Sequence, residues 1–219
     1  MSTLIETHGV SPHESAVAGV VRRWLPAWAK PVVDEKGNVV VSFGQGGKSL
    51  VFVAHMDEVG YQIAALREDG TATVRRRGGV MDAIYEARPV AVHTAQGTVQ
   101  AVMAPRLNYA KATEAFPAAE DVFLYFGTDS TAETAALGIA AGDTLTVRKT
   151  FTRLAGQRAT GRSMDDRVGD AALIAALWRI DPARISNRVT FAWVVGEEIG
   201  LVGSAFVAGQ VPADYAFAV

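Results

Sequence analysis

The sequence predicts an α/β domain interrupted by a separate β-rich insertion, and three observations carry that expectation. Helix-length and strand-length apolar segments alternate in residues 1–60 and again in 153–219, the texture of a mostly parallel sheet covered by helices. Between them, in residues 61–152, the apolar runs shorten and turn residues recur closely: Glu68-Asp69-Gly70, Arg77-Gly78-Gly79, Ala95-Gln96-Gly97 and Ala141-Gly142-Asp143. Such spacing suits a small barrel or sandwich. Composition agrees, because 219 residues that are 49% hydrophobic and 20% charged can fill one sizeable core or two small ones.

Taken in order, Ser11-Pro12-His13-Glu14 reads as a helix start, with a capping serine, a proline at the first helical position and a glutamate three residues after the cap. That helix should run to about Leu25. Val39 to Phe43 and Leu50 to Ala54 read as two strands joined by the turn Gly44-Gln45-Gly46-Gly47-Lys48-Ser49. A P-loop is set aside there, because the residues after the glycines form a strand and not the helix whose N-terminus would face phosphate. One helical piece, Thr131 to Leu137, interrupts the insertion. Afterwards come a helix from about Asp166 to Ile180, a strand from Arg188 to Val195, a short helix near Leu201 to Ala208 and a strand from about Asp214. Arg75-Arg76-Arg77 reads as a solvated strand edge, and His8, His13 and His93 lack the carboxylate neighbours of a ligand set.

A net charge of −2 offers no broad positive surface for nucleic acid or an acidic membrane. The absence of cysteine excludes disulfides, thiolate metal sites and a thiol nucleophile, leaving His, Asp and Glu as ligands. The N-terminus lacks the basic start and apolar run of a secretory signal. The longest apolar stretches fall well short of the about 20 residues a bilayer needs. The expected location is the cytoplasm.

Three segments carry candidate chemistry. His55 and Asp57 stand two apart at a strand end, so both point to one side, and a carboxylate beside a metal-bound imidazole fixes its ring. Asp165 and Asp166 open a helix, where acids often only cap free amides. Glu197 and Glu198 follow a buried strand, at the strand end where α/β sheets bind ligands. Adjacent carboxylates repel, so a nearby cation explains them naturally. A solvent-facing turn explains them as well. Together the three segments can place His55, Asp165 and Glu198 as ligands in one crevice with Glu197 as a base.

These residues resemble the M42 metallo-aminopeptidases, the family of tetrahedral and glutamyl aminopeptidases and of proteins once labelled endoglucanases. Gly9-Val10-Ser11-Pro12-His13-Glu14 is similar to its N-terminal signature, and Ala54-His55-Met56-Asp57-Glu58-Val59-Gly60 to its first metal motif. Ser163-Met164-Asp165-Asp166-Arg167-Val168-Gly169 resembles the second, and Gly196-Glu197-Glu198-Ile199-Gly200-Leu201-Val202-Gly203-Ser204 the third. Phe126-Gly127-Thr128-Asp129-Ser130 and Ala136 to Asp143 extend the likeness through the insertion. The resemblance implies a catalytic α/β domain interrupted by a PDZ-like β-barrel dimerisation domain. It implies two divalent ions, zinc or cobalt, with Asp165 bridging them, His55 on one and Glu198 on the other. Asp57 would stand behind His55, and Glu197 would be the general base. Asp166 and Arg167 match structural positions.

By the same resemblance the substrates are short peptides, and the chain is a homo-oligomer, dimeric or dodecameric. The family's strand matching Tyr215 to Val219 leads into an aspartate ligand and later a histidine ligand, so the chain is expected to be C-terminally incomplete. Gly196 and Tyr125 replace a common glutamine and aspartate. Two other readings stand beside aminopeptidase: a non-catalytic remnant acting through self-association, and another di-metal hydrolase such as a carboxypeptidase or deacylase.

Overall fold

The computed structural model describes residues 1–105 and 122–219; residues 106–121 of the expected insertion lie outside the described part. The elements run α1 (Ser2–Glu6), α2 (Ser15–Trp24), β1 (Val32–Val33), β2 (Val39–Phe43), β3 (Ser49–His55), β4 (Gly60–Leu66), β5 (Ala72–Arg77), β6 (Pro89–Thr94), β7 (Gly97–Met103), β8 (Phe123–Tyr125), α3 (Thr131–Ala136), β9 (Thr144–Val147), β10 (Thr152–Arg153), β11 (Ala159–Thr160), α4 (Met164–Leu177), β12 (Arg188–Val194), α5 (Val202–Gln210) and β13 (Tyr215–Ala218). They form two compact units, Met1–Glu58 with Thr150–Val219, and Val59–Lys149.

The first unit is built on a five-stranded sheet of order β1-β2-β12-β3-β13. β12 is buried along its length from Val189 to Val194, which an apolar run achieves only when both faces are covered. α1, α2 and α4 cover one face, where Leu4, Val17, Val21, Leu173 and Leu177 pack with Phe191 and Trp193. α5 covers the other, through Val207 against Ala192 and Val194. Phe43, Phe191, Phe52 and Phe217 stack in turn across β2, β12, β3 and β13, at centroid distances of 6.1, 5.2 and 5.0 Å.

Three expectations are corrected here. The sheet is mixed and not mostly parallel: β3 pairs parallel with β12 and β13, whereas β2 pairs antiparallel with β12 and β1. β2 and β3 do not form a hairpin, because β12 lies between them. The Gly-rich segment crosses the start of β12 instead, and the Arg188 amide bonds the carbonyls of Gly46 and Lys48, both at 3.0 Å. Gly44, at φ +73°, is required there, since a Cβ would lie 2.0 Å from the Asn187 carbonyl oxygen. Finally, α2 begins at Ser15 and not at Pro12 behind a Ser11 cap, because the Ser11 hydroxyl and the Glu14 carboxylate are engaged by distant chain.

In the second unit, six strands among the described residues close into an antiparallel barrel of order β4-β5-β8-β7-β6-β9. Tyr61, Ile63, Val92, Met103, Leu124 and Leu145 fill it. Closure removes edges, so Arg75, Arg76 and Arg77 lie within the barrel wall on β5. Arg75 and Arg77 donate to Gln62 Oε1, and Arg76 pairs with Asp82. α3 starts at a reciprocal cap, Ser130 accepting from the Glu133 amide while Glu133 accepts from the Asp129 amide.

Candidate metal centre

His55 ends β3, Asp57 follows it, and Glu197 and Glu198 form the turn after β12. Since β12 and β3 run parallel in register, with Val194 opposite His55, their carboxyl ends deliver these residues to one place. Asp165 and Asp166 enter at the start of α4, which packs against β3. All five residues expected at the site therefore sit around one point. One nitrogen of His55 and one oxygen each of Glu197 and Glu198 lie within 4.8 Å of one another. Asp165 Oδ1 is 3.0 Å from His55 Nε2, and Glu197 Oε2 is 3.8 Å from it. The Asp165 side chain is 87% exposed, so it can turn toward a cation without leaving a packed position.

Asp57 organises the group from beneath. It is wholly buried, its Oδ1 is 3.3 Å from His55 Nδ1, and it accepts the amides of Glu197 and Glu198 at 3.0 Å each and the Ser11 hydroxyl. Burial alone would push its carboxyl up, but the His55, Ser11 and amide partners hold it below the ordinary carboxylate range. Asp166 does not face the cluster as a ligand. Its Oδ2 accepts the His55 amide and its Oδ1 the Gly169 amide, both at 3.0 Å, and a Cβ on Gly169 would lie 2.3 Å from Asp166 Oδ1. Gly169 is thus required for Asp166 to brace the backbone of His55.

A second close approach fixes the glutamate turn. Asn38 Oδ1 accepts the Val195 amide at 2.9 Å, and a Cβ on Gly203 would reach 2.2 Å from that oxygen and 2.5 Å from the Val195 carbonyl. Two of the three non-glycine residues with positive φ among the described residues, Ser163 at +59° and Leu201 at +60°, flank the cluster. Such backbone is held only where surrounding contacts impose it, and it concentrates at functional sites.

The donor set fits a divalent cation. Imidazole with several carboxylates suits first-row metals, and without a cation the acids crowd one another. Burial pushes the Glu198 and Asp166 carboxyls up. Burial also favours a neutral His55, yet the Asp57 carboxylate, together with the charges of Asp166 and Glu197, overrides it and raises the imidazole to about 9.

This has a testable consequence for stability. A raised His55 contributes stability fully present below about 6.5, the unfolded value, and lost as pH climbs through about 9. Glu14, pushed up to about 7 mainly by burial, acts in the same direction from about 4.5 upward. Metal-free protein in chelator should therefore lose melting temperature from pH 5 to pH 9, and cobalt or zinc should restore it most at the alkaline end. A flat profile would contradict this electrostatic picture.

Beside the cluster opens a cavity of about 440 Å³ whose lining includes His55, Asp165, Glu197, Leu201, Phe217 and Val219. Its walls combine acids with apolar side chains. No helix among the described residues is long and apolar enough to cross a membrane.

One unit of the chain is thus a helix-covered sheet with a His and acid cluster at its strand ends, and the other is a closed six-stranded barrel. Residues 37–219 match the M42 glutamyl aminopeptidase family, and the chain belongs to that family. It is 26% identical to the glutamyl aminopeptidase of Lactococcus lactis over 100% of this chain and 64% of that protein, and 28% identical to the lysyl aminopeptidase of Pyrococcus furiosus over 93% and 60%. The TET1 peptidase of Pyrococcus horikoshii, reported to assemble into a tetrahedron or a large octahedral shell, superposes with a TM-score of 0.90 at 31% identity, covering 99% of this chain and 66% of that one. An aminopeptidase from Desulfurococcus kamchatkensis gives 0.90 at 28%, covering 99% and 60%. The chain spans 60–64% of the length of five curated relatives that it matches.

Proposed function

We propose that this chain carries the cation-binding and proton-handling part of a di-metal aminopeptidase acting on short peptides. The observation that supports it most is the convergence of His55, Asp57, Asp165, Glu197 and Glu198 at the carboxyl end of β3 and β12. His55 would hold one cation, Glu198 the other, and Asp165 both. Two bound divalent cations would supply an acidified water and a polarised carbonyl.

The chain's own residues do the rest. Asp57, at His55 Nδ1, fixes the tautomer that leaves Nε2 free to ligate. Glu197 lines the cavity, partly exposed, where a carboxylate can take a proton from water and return it to a departing amine. The apolar lining from Leu201 to Phe217 offers a first peptide side chain a dry surface. The same reading includes a PDZ-like barrel that mediates self-association and a cytoplasmic location; the TET1 peptidase, which assembles into a shell, is a parallel.

The test is a peptide assay with cobalt or zinc. Hydrolysis of peptides with a free amino terminus, none of acetylated peptides, and loss on chelation is the expected result. Cleavage of the blocked peptides would favour a carboxypeptidase or deacylase instead. Failure of the wild-type chain to bind cobalt at all would overturn the reading.

A further inference from the structure

We propose that Ser11 and Glu14 are positioning residues, a buried clasp that holds the Asp57 carboxylate and the Glu197–Glu198 turn in register; the inference deepens the cation-site reading above. The segment from Gly9 to Glu14 lies outside the cluster itself, and helix capping does not account for it, since α2 starts only at Ser15. It instead bonds the chain after β3 and the turn after β12, and reaches the entry of α4 through Glu58.

At its first residue, the Gly9 amide donates to Glu58 Oε1 at 2.9 Å and the Gly9 carbonyl accepts the Glu58 amide at 3.1 Å, with Val10 bridged in parallel to Glu58. Glu58, almost wholly buried, also accepts the hydroxyl of Ser163, two residues before Asp165. The Ser11 hydroxyl, fully buried, donates to Asp57 Oδ2, the same oxygen that accepts the Glu198 amide. Glu14 Oε1 accepts the Gly196 amide at 3.1 Å, one residue before Glu197. Gly196 has φ +62°, so its backbone is in the left-handed region and needs an anchor to stay there.

The physical consequence follows from what Asp57 does. A buried carboxylate aims an imidazole only if its own oxygens are fixed, and each hydroxyl or amide that it accepts removes a direction in which it can swing. Ser11 supplies one of those bonds to Asp57. Glu14 holds the turn whose two amides supply two more. Both side chains are shut away from solvent, so water does not take over their bonds when they are removed.

The test uses the 219-residue chain with two readouts. In the first, cobalt is titrated and its visible absorption followed. In the second, amide hydrogen exchange is measured in metal-free protein. Ser11→Ala and Glu14→Ala should each weaken cobalt binding by about 10–100-fold, the range for outer partners of metal ligands, with a changed absorption band. Glu14→Gln keeps an oxygen acceptor for the Gly196 amide and should retain most of the affinity. In metal-free Glu14→Ala, exchange should accelerate at residues 196–198 while the barrel strands β4 to β9 keep wild-type protection. Wild-type affinity and wild-type exchange at 196–198 in both alanine variants would overturn the clasp. So would acceleration spread evenly through the chain, which a purely stabilising role gives. If the wild-type chain binds no cobalt, the cation reading fails, and the exchange comparison alone decides the clasp.

Discussion

His55→Ala should abolish measurable cobalt binding. Outer partners of a metal ligand are worth about 10–100-fold in affinity, and in the proposed site His55 would be the ligand itself, the one imidazole in a group otherwise made of carboxylates. Its loss should therefore cost more than about a hundredfold, read by titration of the cobalt absorption band. The variant carries a second signature. In the metal-free wild type, protonated His55 sits among Asp57, Asp165 and Glu197, and its raised titration makes stability fall between about pH 6.5 and 9. Alanine removes that titration, so the alkaline part of the slope should vanish along with the cation. Cobalt affinity left at the wild-type level would place the cation elsewhere and remove His55 from the site.

The sequence makes the strands and their order along the chain legible, because apolar runs such as Val39 to Phe43 and Arg188 to Val195 are unambiguous when bounded by glycine and charge. It hides which strands become neighbours. The Gly-rich segment after Phe43 looks like a hairpin turn locally, and only the tertiary placement of β12 between β2 and β3 decides otherwise. The candidate site was legible as three separate acid-bearing ends, with a family resemblance supplying the roles. The supports were harder to read. Ser11-Pro12-His13-Glu14 has every local mark of a helix cap, yet Ser11 bonds Asp57, 46 residues away in sequence, and Glu14 bonds Gly196, 182 residues away. A residue that satisfies a distant partner carries the same local signature as one that satisfies its own helix, so spacing alone cannot separate them. Asp166 shows the same ambiguity: it does cap a nearby amide, that of Gly169, while its other oxygen braces His55 from 111 residues away.

Arg167→Ala should produce the largest loss of stability. Arg167 is fully buried, with its Nη2 3.6 Å from Glu58 Oε1 and its Nη1 3.9 Å from Asp170 Oδ2. A Cβ on Gly9 would come within 2.8 Å of Arg167 Nη2, so the chain gives up a side chain at position 9 to admit the guanidinium. Glu58 has further support from Arg162, Ser163 and the Gly9 amide. Asp170 has much less: it is equally buried, neither of its oxygens makes a hydrogen bond among the described residues, and burial already pushes its carboxyl well above the ordinary range. Removing the cation that lies against a buried acid costs about 3–5 kcal/mol, or roughly 6–20 °C in melting temperature for a chain of this size. The loss should grow with pH. Asp170 without Arg167 would hold its proton still more tightly in the folded state, and the two chains diverge once pH passes the already raised folded value of the wild type. Tryptophan fluorescence isolates the effect, since Trp24, Trp28, Trp178 and Trp193 all lie in the unit that contains Arg167. A melting shift below about 2 °C would show that the guanidinium does not hold this interior together, because even 1 kcal/mol should move the transition by about 2–4 °C.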